Sequence, residues 1–231
     1  MLKFCFPLFI GIFDFYFEDM ATYESVIKIT GAVGDLVFYN LNGKNVVRKK
    51  SGFNKTAFKK SPSYEKVRQN SSEFGHCSKI GKIIRKSLEG YIKKAGDPLL
   101  YQKFAKVMTA IKDLDIISER GKRTVENGLK TEEGRKLLRA FQLGTIKTVS
   151  DCIRSQNQIL YKNKGCTPDE GVIFTLKLDS ESYSIETHEE IISWNQQQEK
   201  SFKKYFSEDD FLLYFVALKN EKDEITHMGF V

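Results

Sequence analysis

Catalytic and metal-binding signatures are scarce in this chain. It holds three histidines, His76, His188 and His227, so an acid–base or nucleophilic scheme has few bases to draw on. His76 and Cys77 are neighbours, but adjacent side chains on a helix point about 100° apart and cannot face each other. The pair reads as a partly exposed histidine beside a buried thiol. No HExxH motif and no CxxC pair occurs, which leaves the common zinc patterns without ligands. The four cysteines, Cys5, Cys77, Cys152 and Cys166, are too few and too dispersed for a disulfide scaffold. They are expected as free thiols in a reducing, cytoplasmic setting. No metal and no cofactor is expected. Only four prolines and no low-complexity tract are present, which argues against long disorder.

A nuclease has some ingredients and lacks others. Glu208-Asp209-Asp210 and Glu189-Glu190 could chelate Mg²⁺, and Pro168-Asp169 followed by Lys177 gives part of a PD-(D/E)xK arrangement. The second acid of that pattern should stand at position 175, where Thr175 is found. Solvated loop acids explain these residues more simply, so a Mg-dependent nuclease is a remote alternative.

No apolar run is long enough for a membrane span. The best stretch, FCFPLFIGIFDFYF at residues 4–17, falls short of the ~20 residues required and is broken by Pro7 and Asp14. Glu18 and Asp19 stand where a signal peptide has small cleavage-site residues. Six of the eighteen phenylalanines precede Met20, a composition that AT-rich DNA encodes when translated without selection. The expectation is that translation starts at Met20-Ala21-Thr22, with residues 1–19 an artefactual extension and a lipoprotein-like or secretory leader as the alternative. With that start, no membrane association is expected.

What the chain has in quantity is charge, unevenly placed. Over 231 residues the formal net charge is +7 and the pI about 9.0. Residues 41–95 carry fifteen Lys or Arg against three acids, a net +12, whereas residues 165–231 carry six Lys against fourteen acids, a net −8. A basic surface attracts acidic partners, either nucleic acid or an acidic protein surface. Opposed surfaces can also dock on each other, within one chain or head to tail between copies, the latter making a homo-oligomer. The candidate binding residues are Arg48, Lys49, Lys50, Lys55, Lys59 and Lys60, followed by Lys66, Arg68, Lys79, Lys82, Arg85 and Lys86. Phe53, Phe58 and Tyr64 interleave them and could stack on bases. No helix-turn-helix, zinc finger or RNP motif is present, so sequence-specific readout is not expected.

The clearest local signal is a hairpin. Two β-prone runs within Leu36–Arg48 flank Asn42-Gly43, the pair that enters a type I′ turn at least cost because both central residues need positive φ. Val26–Thr30 is expected as a strand beside it, since a lone hairpin is marginal in water. Gly31-x-x-Gly34 lacks the Lys-Ser/Thr and helix start of a phosphate loop. Ser61-Pro62 opens a helix that Asn70-Ser71-Ser72 should interrupt or bend. The next helix is expected over Glu73–Lys94, burying Phe74, Cys77, Gly81, Ile84, Leu88 and Tyr91. Asp97-Pro98 opens another with an apolar stripe of Leu100, Phe104, Val107, Met108, Ile111 and Leu114. Leu137, Leu138 and Phe141 suggest a further short helix. After Gly144 the pattern turns to strands: Ile159–Tyr161, Val172–Leu178, Tyr183–Glu186, Phe211–Leu218 and Glu224–Phe230. Val172, Phe174, Leu176 and Leu178 should form an apolar face with a mixed face opposite, and Trp194–Tyr205 a polar loop or short helix.

Several pieces in order, KITGAVGDLVFY (28–39), VRKK (47–50), YEKVRQNSSEFG (64–75), SERGKRTV (118–125) and LRAF (138–141), resemble a family of hypothetical proteins common in Bacteroidetes genomes. The resemblance spans Ile27–Gly144, about half the chain. It implies a start shortly before the hairpin and a β-rich C-terminal part, and it implies no activity. The combined reading is an α+β chain: an N-terminal β-hairpin with a helical bundle over residues 20–144, then an antiparallel β-sheet or small β-sandwich over 145–231. The expected role is a non-enzymatic interaction or assembly protein of a phage-like or other macromolecular complex, with non-sequence-specific nucleic-acid binding as the alternative.

Overall fold

A computed structural model describes residues 20–24, 29–50, 55–194 and 197–231. The proposed extension over residues 1–19 therefore lies outside the described residues. The chain divides into two compact units, Met1–Ser61 and Pro62–Val231.

The first unit is an antiparallel sheet of strands β1 (Met20–Thr22), β2 (Gly31–Val33), β3 (Leu36–Leu41) and β4 (Lys44–Lys49), in the order β1-β4-β3-β2. Asn42 and Gly43 close β3–β4 with φ of 52° and 84°, the left-handed pair that a type I′ turn demands. The Gly43 amide also donates to Asn40 Oδ1 at 3.0 Å. The strand expected at Val26–Thr30 falls mostly on residues 25–28, which lie outside the described residues; Ile29 and Thr30 belong to no strand. Beside β3 runs β2, joined to it through Gly34, whose φ is 58°. Gly31-x-x-Gly34 thus builds a second tight hairpin rather than a cradle ahead of a helix. A short helix, α1 (Lys55–Lys60), ends this unit.

The second unit begins with a 3₁₀ turn, Pro62–Tyr64, leading into α2 (Glu65–Ser87). The helix runs unbroken through Asn70-Ser71-Ser72, so the interruption expected there does not occur. Those residues are exposed, and the stripe of Glu73, Cys77, Ile80, Gly81 and Ile84 buries the next turns, so tertiary packing overrides a weak local preference. Phe74 is 60% exposed and Ile80 fills the stripe instead. The helix also stops earlier than expected, with α3 (Glu89–Lys94) following after Leu88. Next come α4 (Leu100–Lys112), α5 (Val125–Lys130) and α6 (Glu132–Arg139). Asp97 supports the entry to α4, its Oδ1 accepting from the Leu99 amide at 2.9 Å. Thr124 and Thr131 cap α5 and α6, accepting from Asn127 N at 3.2 Å and Gly134 N at 3.0 Å. Helix α5 crosses α4 so closely that a Cβ on Gly128 would sit 2.0 Å from the Ile111 carbonyl oxygen.

The remaining strands are β5 (Lys147–Thr148), β6 (Ile153–Gln156), β7 (Ile159–Lys162), β8 (Glu170–Asp179), β9 (Ser184–Ser193), β10 (Glu199–Ser201), β11 (Leu212–Lys219) and β12 (Ile225–Phe230). A five-stranded sheet runs β5-β12-β11-β8-β9, antiparallel except for β5 with β12, and a three-stranded antiparallel sheet runs β10-β7-β6. Strands β8 and β11 are buried on both faces. Leu176, Leu178, Phe215 and Ala217 join the helices in one core, while Ile173, Val216 and Leu218 join Ile153, Leu160, Trp194 and Phe202 in a second. The supposedly mixed face of β8 is therefore core too, and the polar stretch after Trp194 starts from a fully buried indole and contains β10. The change near residue 145 is one of element type: Phe104 lies 5.1 Å from Phe141 and 6.3 Å from Phe230 between ring centroids, so helices and sheet share one core.

The cysteines also differ from expectation. Cys152 and Cys166 are joined in a disulfide with Cα atoms 5.4 Å apart. The β6–β7 hairpin between them returns the chain on itself, which residue spacing alone does not reveal. Cys77 is a free, buried thiol; burial pushes its pKa up to about 11, so it is inert.

Candidate functional site

The twelve cations expected to form one surface fall six and six in the two units. Arg48 and Lys49 stand on β4 with Lys50 just beyond, and Lys55, Lys59 and Lys60 stand on α1; all are exposed except the half-buried Arg48. The other six belong to α2. Lys79, Lys82 and Lys86 follow the i, i+3, i+7 spacing of one helix face, opposite the buried stripe, with Arg68 three turns earlier on the same side. Lys79 Nζ rests 4.5 Å over the Tyr183 ring. Lys66 lies in the first turn on the side that carries Glu73. Arg85 departs from the ridge: its guanidinium lies 5.7 Å over the Phe104 ring, and burial lowers its pKa.

The densest polar chemistry lies where α2 meets the loop between α4 and α5. Glu73 is 2% exposed. Its Oε1 accepts from Arg123 Nε at 2.8 Å and the Gly121 amide at 2.6 Å, and its Oε2 accepts from Arg123 Nη2 at 2.7 Å and Lys112 Nζ at 2.8 Å. The forked Arg123 pairing outweighs desolvation, and with Lys112 and Gly121 it holds the Glu73 carboxyl down at about 2. Lys112 bridges on to Asp113 at 2.5 Å; burial opposes its charge, but the two carboxylates raise its pKa.

Asp115, also buried, organises the loop. Its Oδ1 accepts from the Ile117 and Ser118 amides at 3.0 Å each, and its Oδ2 accepts from the Thr124 amide at 2.9 Å and Asn127 Nδ2 at 3.2 Å. Burial works against this charge, yet the converging donors win and hold the carboxyl well below the usual carboxylate range.

His76 completes the cluster. Its Nε2 accepts from the Val125 amide at 3.1 Å, so in the neutral ring Nδ1 carries the proton and donates to Tyr183 Oη, 3.3 Å away. Burial pushes its pKa down. A cleft of about 480 Å³ opens here between Ser72, His76, Lys122, Glu126, Glu181 and Tyr183. Both ring nitrogens are already engaged and the Glu73 oxygens are saturated, so the cluster fixes a loop rather than offering a base or nucleophile. In the sequence Glu73 is one of three acids in the basic stretch and the expected start of a helix, with nothing to mark it as buried. Its partners are 39 to 50 residues away, and the one available signal is that SEFG and SERGKRTV, two of the resembling segments, meet at this point.

The fixed loop displays apolar side chains. Ile116 is 90% and Ile117 78% exposed. Beside it, Val67, Asn70, Phe74, Thr109, Arg120 and Arg123 line a second cleft of about 610 Å³, with Arg120 Nη2 donating to Asn70 Oδ1 at 3.1 Å. Val67 and Phe74 are themselves exposed. The cleft thus sets apolar Val67 and Phe74 beside Arg120 and Arg123.

The Asp169 and Lys177 of the partial PD-(D/E)xK pattern do not come together. Asp169 precedes β8 and Lys177 lies near its far end, a separation of about 26 Å at ~3.3 Å per residue. Lys177 instead bridges Glu186 at 3.2 Å and Asp210 at 3.4 Å, and Glu190 Oε2 accepts from the Lys203 amide at 3.0 Å. Among the described residues, Cys152, Cys166 and His227 form a group of three metal-type donors. Among the same residues, no helix is long and apolar enough to cross a membrane. No protein-family model, curated protein or solved structure matches the chain.

Proposed function

We propose that the chain is a non-enzymatic assembly protein that docks on an acidic protein surface through the Ile116–Arg123 loop and the adjoining face of α2. The observation that carries this reading is the near-complete exposure of Ile116 and Ile117 on a loop whose backbone is tied down by Asp115 and Glu73. Covering one such side chain is worth about 1.5–3 kcal/mol. A loop already ordered loses little further entropy on binding. Arg120 at the rim favours an acidic partner. Residues 165–231, at net −8, make a second copy of this chain one such partner, in head-to-tail contact. A phage-like particle or other cytoplasmic macromolecular complex is the setting that suits these properties. Light scattering over a range of salt concentrations tests the reading. The expected mass exceeds 26.6 kDa at low salt and falls towards it as salt rises; the single-chain mass at every condition would count against it.

A second reading is non-sequence-specific nucleic-acid binding. The Lys79, Lys82 and Lys86 ridge supports it, since cations at helical spacing on an exposed face suit phosphate contacts. Filter binding at varied salt checks it: three phosphate contacts give a slope of log K against log salt of about −2 to −3. Binding with no salt slope would dismiss it.

A further inference from the structure

We propose that Cys152 and Cys166, once reduced, join His227 to bind a single zinc ion, so that the disulfide and the metal site are alternative states of one cluster. The inference is independent of the assembly reading. The ligand atoms of the three residues lie within 4.8 Å of one another. Tetrahedral zinc with Zn–S of about 2.3 Å and Zn–N of about 2.0 Å needs donors roughly 3.5–3.8 Å apart, so little rearrangement is called for. The Cys152 and Cys166 Cα atoms are 5.4 Å apart, and parting the sulfurs from about 2.05 Å to about 3.8 Å needs side-chain rotation alone.

The surroundings prepare each donor. Cys152 is buried in the core around Trp194, while Cys166 is half-buried. Asn163 ties the two segments, its amide donating to the Cys152 carbonyl at 2.8 Å and its carbonyl accepting from the Cys166 amide at 3.2 Å. His227 lies on β12 opposite Lys147 of β5. The Thr226 hydroxyl donates to the Leu218 carbonyl at 3.3 Å and stands 3.1 Å from His227 Nδ1. Its free lone pair can accept the Nδ1 proton, which leaves Nε2 with the lone pair a metal needs. Three protein donors leave the fourth position for water.

Cys166 lines an open cleft of about 550 Å³ together with Asn163, Gly165 and Thr167, so its sulfur is the one a reductant reaches. A thiolate of a small dithiol attacks Cys166 Sγ, the S–S bond breaks, and Cys152 leaves as a thiolate. The second thiolate of the reductant then displaces Cys166, closing the reductant's own disulfide; two electrons pass to the protein. Zinc binds the two thiolates and displaces any protons on them.

Cobalt titration of the full chain tests this. The protein is reduced with a phosphine, freed of reductant and titrated with Co²⁺ without oxygen. One equivalent should produce a thiolate-to-cobalt charge-transfer band that zinc abolishes, and the oxidised protein should give none. Cys166→Ser should lose the band, Cys77→Ser should keep it, and His227→Ala should weaken binding at least tenfold. Absence of stoichiometric binding by the reduced parent overturns the proposal, as does a His227→Ala protein that binds as tightly as the parent.

Discussion

The Arg123 guanidinium clasps the Glu73 carboxylate through two parallel hydrogen bonds of 2.8 and 2.7 Å across fifty residues of sequence. That fork, with Lys112 on the inner side, ties the exposed loop to α2. Removing one member of a buried ion cluster leaves the rest uncompensated and costs about 3–5 kcal/mol. Glu73→Gln should therefore lower the urea midpoint strongly, whereas exposed Glu65→Gln should leave it within about 0.5 kcal/mol. Equal effects of the two substitutions would show that the cluster does not hold the loop.

The same carboxylate sets an acid limit. Its folded pKa of about 2 lies below the ordinary 4.5, so the unfolded chain takes up the proton first. The stabilisation is complete above pH ~4.5 and fades as pH falls towards ~2, amounting to about 3 kcal/mol. Urea titrations of the parent between those limits should show the loss, and Glu73→Gln should flatten that part of the profile.

His76 acts in a milder range. Burial lowers its folded pKa below 6.5, so protons bind the unfolded chain more tightly and stability declines as pH drops below about 6.5. Protonation of Nε2 would also abolish the bond from Val125 N. His76→Ala should remove this pH dependence while costing about 1–3 kcal/mol for the stranded amide. Hydrogen exchange of the Val125 amide should quicken in that variant; an unchanged rate would separate His76 from the loop.

Two glycines make a matched pair. A methyl on Gly128 would meet the Ile111 carbonyl oxygen at 2.0 Å, whereas Gly90 has nothing within 4 Å of its position. Gly128→Ala should destabilise by about 1–3 kcal/mol or more by forcing α5 away from α4, and Gly90→Ala should be neutral or stabilising by about 0.5 kcal/mol. Thermal unfolding followed through Trp194, the chain's sole tryptophan, reads both.

Features governed by neighbours along the chain were legible in advance. Asn42-Gly43 dictates its turn through backbone sterics, and the Leu100, Phe104, Met108, Ile111 stripe announces α4 through its period. The α+β class followed from such signals. What depends on distant contacts was not legible. Glu73 looks like any surface acid until Arg123 arrives from the far loop, and Trp194 looks like part of a polar segment until β10 and β7 pair. Cys152 and Cys166 look unrelated until the β6–β7 hairpin folds. The cationic ridge on α2 was visible, but Arg85 left it because Phe104, on another helix, offers its ring.

The most direct test of the assembly reading is sedimentation velocity of the parent beside an Ile116→Asp/Ile117→Asp double variant at low salt. Both isoleucines are exposed, so circular dichroism should show the fold unchanged. The account predicts concentration-dependent association of the parent and a single 26.6 kDa species for the variant. Equal association in both, or a monomeric parent at every concentration, would contradict it.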